Sequence, residues 1–179
     1  MRRRPNVLVY LAFSGFSTLL APAIARAQTV ATAGDASISQ DESSGTWMLS
    51  AGGTQLTLSL GANRDFAIER LVTASGGSWT RAIASDSIIK VGGRTVSLGS
   101  RREGFTLQGV SVDTQDQRLQ LNATFELASA SLRVTRHYAI VSGSPTFEAW
   151  NTYAPNGGAP ELSDLNALQL VITPVSSTR

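Results

Sequence analysis

From Trp47 onward, apolar and polar residues alternate in short runs, and each run ends in a turn signal. Leu56, Leu58 and Leu60 alternate with Thr57 and Ser59, and Gly61-Ala62-Asn63 then turns the chain into residues 65–72. A period of two puts one set of side chains on one face, the pattern of a half-buried strand. Residues 88–91 and 94–98 flank Gly92-Gly93, a turn in which glycine takes φ > 0 at little cost, so these two runs form a hairpin. Residues 105–112 and 118–127 are strands on either side of Asp113-Thr114-Gln115-Asp116, and Leu119, Leu121, Ala123, Phe125 and Leu127 share one face of the second. Next, Leu132, Val134, Arg136, Tyr138 and Ile140 alternate with Arg133, Thr135, His137, Ala139 and Val141. Gly143-Ser144-Pro145 introduces a strand over 146–153, a loop covers 154–160, and a last apolar run spans 162–172. No stretch sustains a helical period. About ten short strands, with turns about every 8 to 12 residues, predict an all-β fold, an antiparallel β-sandwich.

Composition narrows this further. The 179 residues are 42% hydrophobic and 16% charged, the balance of one globular domain rather than a disordered or fibrous chain. The first residues read differently. Met1-Arg2-Arg3-Arg4 is a basic head, residues 7–20 are mostly apolar and uncharged, and Ala25-Arg26-Ala27 is a small-x-small cleavage site. The apolar run is shorter than the roughly 20 residues a bilayer needs, and Pro22 and Arg26 close it, so a cleaved signal peptide is expected rather than an anchor. The expected organisation is a signal peptide over 1–27, a flexible lead over 28–45 rich in Ala, Ser, Thr and Gly, and a sandwich domain over 46–179. The chain stops directly after an apolar run, so that domain is expected to be truncated at its C-terminal end. The expected location is secreted or periplasmic, with no membrane association after cleavage.

Arg2, Arg3, Arg4 and Arg26 are four of the 15 basic residues, so 11 remain beyond the leader against 13 acidic ones. No basic run longer than Arg101-Arg102 is left there, and nucleic acid is not an expected partner. The absence of cysteine removes disulfides, thiol nucleophiles and thiolate metal sites, and a single histidine argues against histidine-rich ones. No cofactor or metal is expected.

Few residues announce chemistry. Arg136 shares strand parity with Leu132, Val134, Tyr138 and Ile140, which places its guanidinium on the apolar side, where it needs a carboxylate. Glu148 or Asp164 could supply it, and a structural ion pair between Arg136 and Glu148 is preferred over an anion-binding arginine because buried charges are usually paired internally. His137 is the sole imidazole. Ser142, Ser144 and Asp164 lie near it in sequence, but no Gly-x-Ser-x-Gly elbow exposes a nucleophile, so no catalytic residue is assigned. Asp65, Glu69, Glu103, Asp113, Asp116, Glu126 and Glu148 are scattered, as surface acids are. Trp47 is expected in the core and Trp150 on a second packing surface. Trp79, after Gly76-Gly77-Ser78, sits in a loop. There it is either an ordinary anchor or a face for stacking on a sugar ring, with Arg81 as a donor to sugar hydroxyls.

Arg136-His137-Tyr138, followed by Ser144-Pro145-Thr146-Phe147-Glu148-Ala149-Trp150-Asn151-Thr152, resembles an Arg-x-Tyr stretch and the segment after it in the N-terminal β-supersandwich of glycoside hydrolase family 36, the α-galactosidases. The resemblance implies a galactose-mutarotase-like supersandwich that precedes a (β/α)₈ barrel, with both catalytic aspartates in the barrel. These residues contain no barrel. The implied function is therefore a non-catalytic accessory sandwich of an exported, α-galactosidase-like glycoside hydrolase, itself inactive. Its implied partners are carbohydrate and the C-terminal catalytic barrel of the same longer chain, and Trp79 would reach over the barrel's mouth. The alternative is a stand-alone carbohydrate-binding or structural β-sandwich module.

Overall fold

The structure, a computed structural model, describes residues 27–78, 84–166 and 168–170. Five strands follow one another as a meander: β1 (Gln28–Ala33), β2 (Ala36–Asp41), β3 (Thr46–Ala51), β4 (Thr54–Ser59) and β5 (Ala67–Val72). A second meander joins β8 (Phe105–Gln115), β9 (Arg118–Leu127), β10 (Leu132–Val141) and β11 (Phe147–Pro155) into a four-stranded sheet. Between them in sequence, β6 (Ile88–Val91) and β7 (Arg94–Ser97) form a hairpin, and β12 (Leu162–Ser163) adds to the free side of β6. All pairings are antiparallel. The chain is an all-β antiparallel sandwich.

The alternation explains the layering. Along β9, Leu119, Leu121, Ala123, Phe125 and Leu127 are buried and the residues between them are partly exposed. β3 and β4 send in Trp47, Leu49, Leu56 and Leu58, and β2 sends in Ala36 and Ile38. β2 approaches β9 and β3 approaches β10, so the two large sheets face each other across one apolar core that also takes in Ile89, Val96 and Leu98. Fully burying a side chain of this size contributes about 1.5–3 kcal/mol relative to exposure. The turn between β6 and β7 uses Gly92 at φ 53° and Gly93 at φ 78°, the left-handed pair that a two-residue hairpin requires.

Two segments differ from expectation. The stretch expected as a flexible lead, 28–45, instead forms β1 and β2 and the turn into β3. Its residues are small and polar, but Ala36 and Ile38 pack into the core, Ser39 is buried on the other face, and the β2–β3 ladder supplies the backbone partners. The last apolar run was expected to be one strand over 162–172. Among the described residues strand pairing ends at Ser163, where Asp164 takes φ 49° and swings the chain out of the extended region; positions 167, 171 and 172 of that run lie outside the described residues.

Asp35, at the tip of the β1–β2 hairpin, ties three turns together. Its Oδ1 accepts from the Gly143 N–H at 2.6 Å and the Ser142 hydroxyl at 2.9 Å, and its Oδ2 accepts from the Gly52 N–H at 2.9 Å. These bonds, led by those from Gly143 and Gly52, hold its carboxyl below the ordinary range. A Cβ on Gly52 would lie 2.5 Å from Pro145 N, so only glycine lets the β3–β4 turn come this close. Among the described residues no helix is long and apolar enough to cross a membrane.

Candidate functional site

On the inner face of β10, Arg136 and Tyr138 are two positions apart, so both side chains enter the core. Both meet Asp86, which lies just before β6: Arg136 Nη2 and the Tyr138 hydroxyl each donate to Asp86 Oδ2. All three residues are fully buried. The guanidinium carbon also lies 4.7 Å from the Tyr138 ring centre. On the neighbouring strand, Asn151 stands opposite Arg136. It accepts from Arg136 Nη1 at 3.4 Å and donates to the Ser87 hydroxyl at 2.8 Å and to Tyr153 Oη at 3.0 Å. Ser87 then donates to the Asn166 carbonyl at 2.6 Å, and the Asp86 carbonyl accepts from the Gln169 N–H at 2.5 Å. A charged cluster thus joins β10, β11, residues 86–87 and the segment after β12.

Burial pushes the Asp86 carboxyl up, against the Arg136 charge and the bonds from Tyr138 and Arg136. It also pushes the Tyr138 phenol well above its usual value, with the Asp86 charge adding to the effect, so the hydroxyl keeps the proton it donates. Asp86 Oδ1 and Arg136 Nε have no hydrogen-bond partner among the described residues.

The outer face of the same strand carries His137. Asn122 on β9 and Trp150 on β11 flank it in register. Trp150 and His137 stack at 4.9 Å between ring centres, 13° from parallel, and the Arg118 guanidinium lies 5.7 Å from the Trp150 ring. Asn122 donates to Asp113 Oδ2 at 2.7 Å, which orients its amide and leaves Oδ1 to accept from His137 Nδ1 at 2.6 Å. Nδ1 therefore carries the ring proton, and Nε2 accepts from the Thr152 hydroxyl at 2.9 Å. Burial first, and the Arg136 charge second, lower the His137 pKa against the pull of Asp113, which keeps the ring neutral at neutral pH. Hydroxyl, imidazole and amide stand in the order of a nucleophile, base and orienter. Thr152, however, is exposed on the open face of an edge strand, so the row acts as a polar brace across three strands.

A cleft of about 700 Å³ opens elsewhere, where β4 and β5 meet residues 84–88 and 97–100. Ser59, Ser85, Ser97 and Ser100 line it, with the Ser85 hydroxyl held by the Leu98 carbonyl at 2.9 Å, and Ala67, Ala84 and Ile88 supply apolar wall. Ser59 and Ala67 are paired in register between β4 and β5, and both are buried. Two charged residues line the cleft, and both are engaged. Arg64 reaches Glu69 Oε1 at 2.6 Å and the Ser44 carbonyl at 2.5 Å, and Asp65 Oδ1 accepts from the Arg101 N–H at 2.9 Å.

No family model, curated protein or solved structure matches this chain.

Trp79 and Arg81, the expected sugar contacts, lie outside the described residues. Their described neighbours Ser78 and Ala84 both bridge to β5, and Ala84 lines the cleft. The expected pairing of Arg136 with Glu148 is corrected. Glu148 lies on the outer face of β11 and bonds Arg118 at 2.7 Å, an interaction that lowers its pKa, whereas Arg136 points inward to Asp86. The cause is parity: Asn151, not Glu148, faces Arg136 across the β10–β11 ladder. Asp164 instead reaches Lys90 at 3.3 Å on the surface. Asp86 itself was missed among the candidate acids. Its signal was a lone acid flanked by serines directly before the apolar pair Ile88-Ile89, where an inward carboxylate could answer an inward arginine. Among the described residues no group of three His, Asp or Glu side chains could hold a metal ion.

Proposed function

We propose that this chain is a non-catalytic accessory β-supersandwich of an exported, α-galactosidase-like glycoside hydrolase, which packs against a catalytic barrel outside these residues. The observation that supports this reading is the role of the resembling residues. Arg136 and Tyr138 of the Arg-x-Tyr stretch converge on one buried carboxylate, and the strand after Ser144-Pro145 pairs with β10 along its length. In such a reading these residues serve to fix the sandwich, and the reacting carboxylates belong to the barrel. The polar brace around His137 fits the same division of labour, because its imidazole is committed to Asn122 and Thr152.

The hydroxyl-lined cleft favours a second reading, a carbohydrate-binding module that works without a barrel. The test starts with the gene. A reading frame that continues into alternating strands and helices, whose full product hydrolyses an aryl α-galactoside while the 179 residues alone do not, is the expected result. Turnover by these residues alone, or a stop codon directly after Arg179, overturns the accessory-domain reading.

A further inference from the structure

We infer that the cleft between β4, β5 and residues 84–88 and 97–100 binds a short neutral saccharide. The inference rests on the carbohydrate reading above and narrows it to one place. At about 700 Å³ the cleft falls within the usual ligand-site range of about 300–1,000 Å³. Its chemistry is that of a hydroxyl-rich partner. The Ser97 and Ser100 hydroxyls can both donate and accept, as sugar hydroxyls do, whereas the Ser85 hydroxyl is committed to the Leu98 and Ser87 carbonyls, and Ala67, Ala84 and Ile88 offer apolar surface suited to the C–H side of a ring.

Charge argues for a neutral ligand. Arg64 is the cleft's cation, and its guanidinium is already bound to Glu69 and to the Ser44 carbonyl, while the Asp65 carboxylate on the same wall repels an anion. The independent mark of a ligand is Ser59. It is 2% exposed, and its Oγ has no hydrogen-bond partner among the described residues. The hydroxyl is closed off from the cleft as it stands, at an energetic cost, and a rotation of the Ser59 side chain toward the cleft would let a ligand hydroxyl satisfy it.

Raffinose, a neutral α-galactoside, is the probe. Added to the isotope-labelled full chain, it is expected to give saturable amide shifts centred on Ser59, Ala67, Ser85 and Ser97. Ser59→Ala is expected to weaken binding by about five- to tenfold, the loss of one hydrogen bond, while the melting temperature stays level or rises because an orphaned hydroxyl has gone. A merely structural serine would not separate the two readouts. Ser100→Trp, which fills the cleft from a half-buried position, is expected to abolish the shifts with the spectrum otherwise intact. Absent shifts, shifts centred elsewhere, or preferential binding of galacturonate overturn the inference. The two readings also fail separately. Raffinose binding in a gene product that ends at residue 179 sinks the accessory domain and keeps the cleft, whereas a gene that encodes a barrel and a cleft that stays silent do the reverse.

Discussion

The two faces of β10 carry polar networks built from adjacent residues, yet they obey different rules. Arg136 and Tyr138 face inward and share Asp86 with no solvent exposure, whereas His137, between them, joins Asn122 and Thr152 on a half-exposed face. Inside, no water can replace a lost partner, so each bond matters through what its removal would leave behind. Outside, water stands ready to compensate, and the network orients side chains more than it stabilises the fold. The same hydrogen-bonding groups thus act as a lock on one side and a brace on the other.

Substitutions can break that contrast in graded steps. Arg136→Met should destabilise most, by about 3–5 kcal/mol in urea unfolding, because Asp86 would remain buried without its cation. Replacing Asp86 by Leu in the same chain should recover much of that loss, and a double variant as unstable as the single one would show that the pair is not the lock. Tyr138→Phe comes next at about 1–3 kcal/mol, from one donor removed from a buried carboxylate.

The outer face should respond less, and to pH. His137 has a lowered pKa when folded, so its contribution is present above its ordinary value near 6.5 and is lost as pH falls through the folded value. Melting temperature should therefore drop more between pH 7 and 5 in the native chain than in His137→Gln, and parallel curves would remove His137 from the account. Asp86, shifted upward, has the opposite slope, which is why the difference between the two chains is the quantity to measure. Smallest of all, Glu148→Gln should fall between about 0 and 1 kcal/mol, since its bond to Arg118 is solvent-exposed.

Strand parity carried far in this chain and then stopped at sequence distance. The alternation in β9 and β10 puts Leu119, Leu121, Ala123, Phe125, Leu127 and Arg136 on the inner face, and Gly92-Gly93 marks its hairpin. The partner of Arg136 was not legible in the same way, because Asp86 is 50 residues away and pattern says nothing about which loop closes over which strand. β1 and β2 escaped because Ala, Ser and Thr give a weak hydrophobic signal, although the ladder needs only their backbones and a few inward methyl groups. The cleft depends on where β5 meets the segment after Ala84, a tertiary event with no local signature.

The Asp35 clasp bears on how the molecule assembles. Each large sheet is a meander of strands adjacent in sequence, so its hairpins can form early and locally, whereas Asp35 must find Ser142 and Gly143 more than a hundred positions away. Such a contact closes after the sheets have met. Asp35→Asn should accordingly quicken unfolding while leaving the refolding rate nearly unchanged, so one surface carboxylate would set the lifetime of the native state rather than the speed of reaching it.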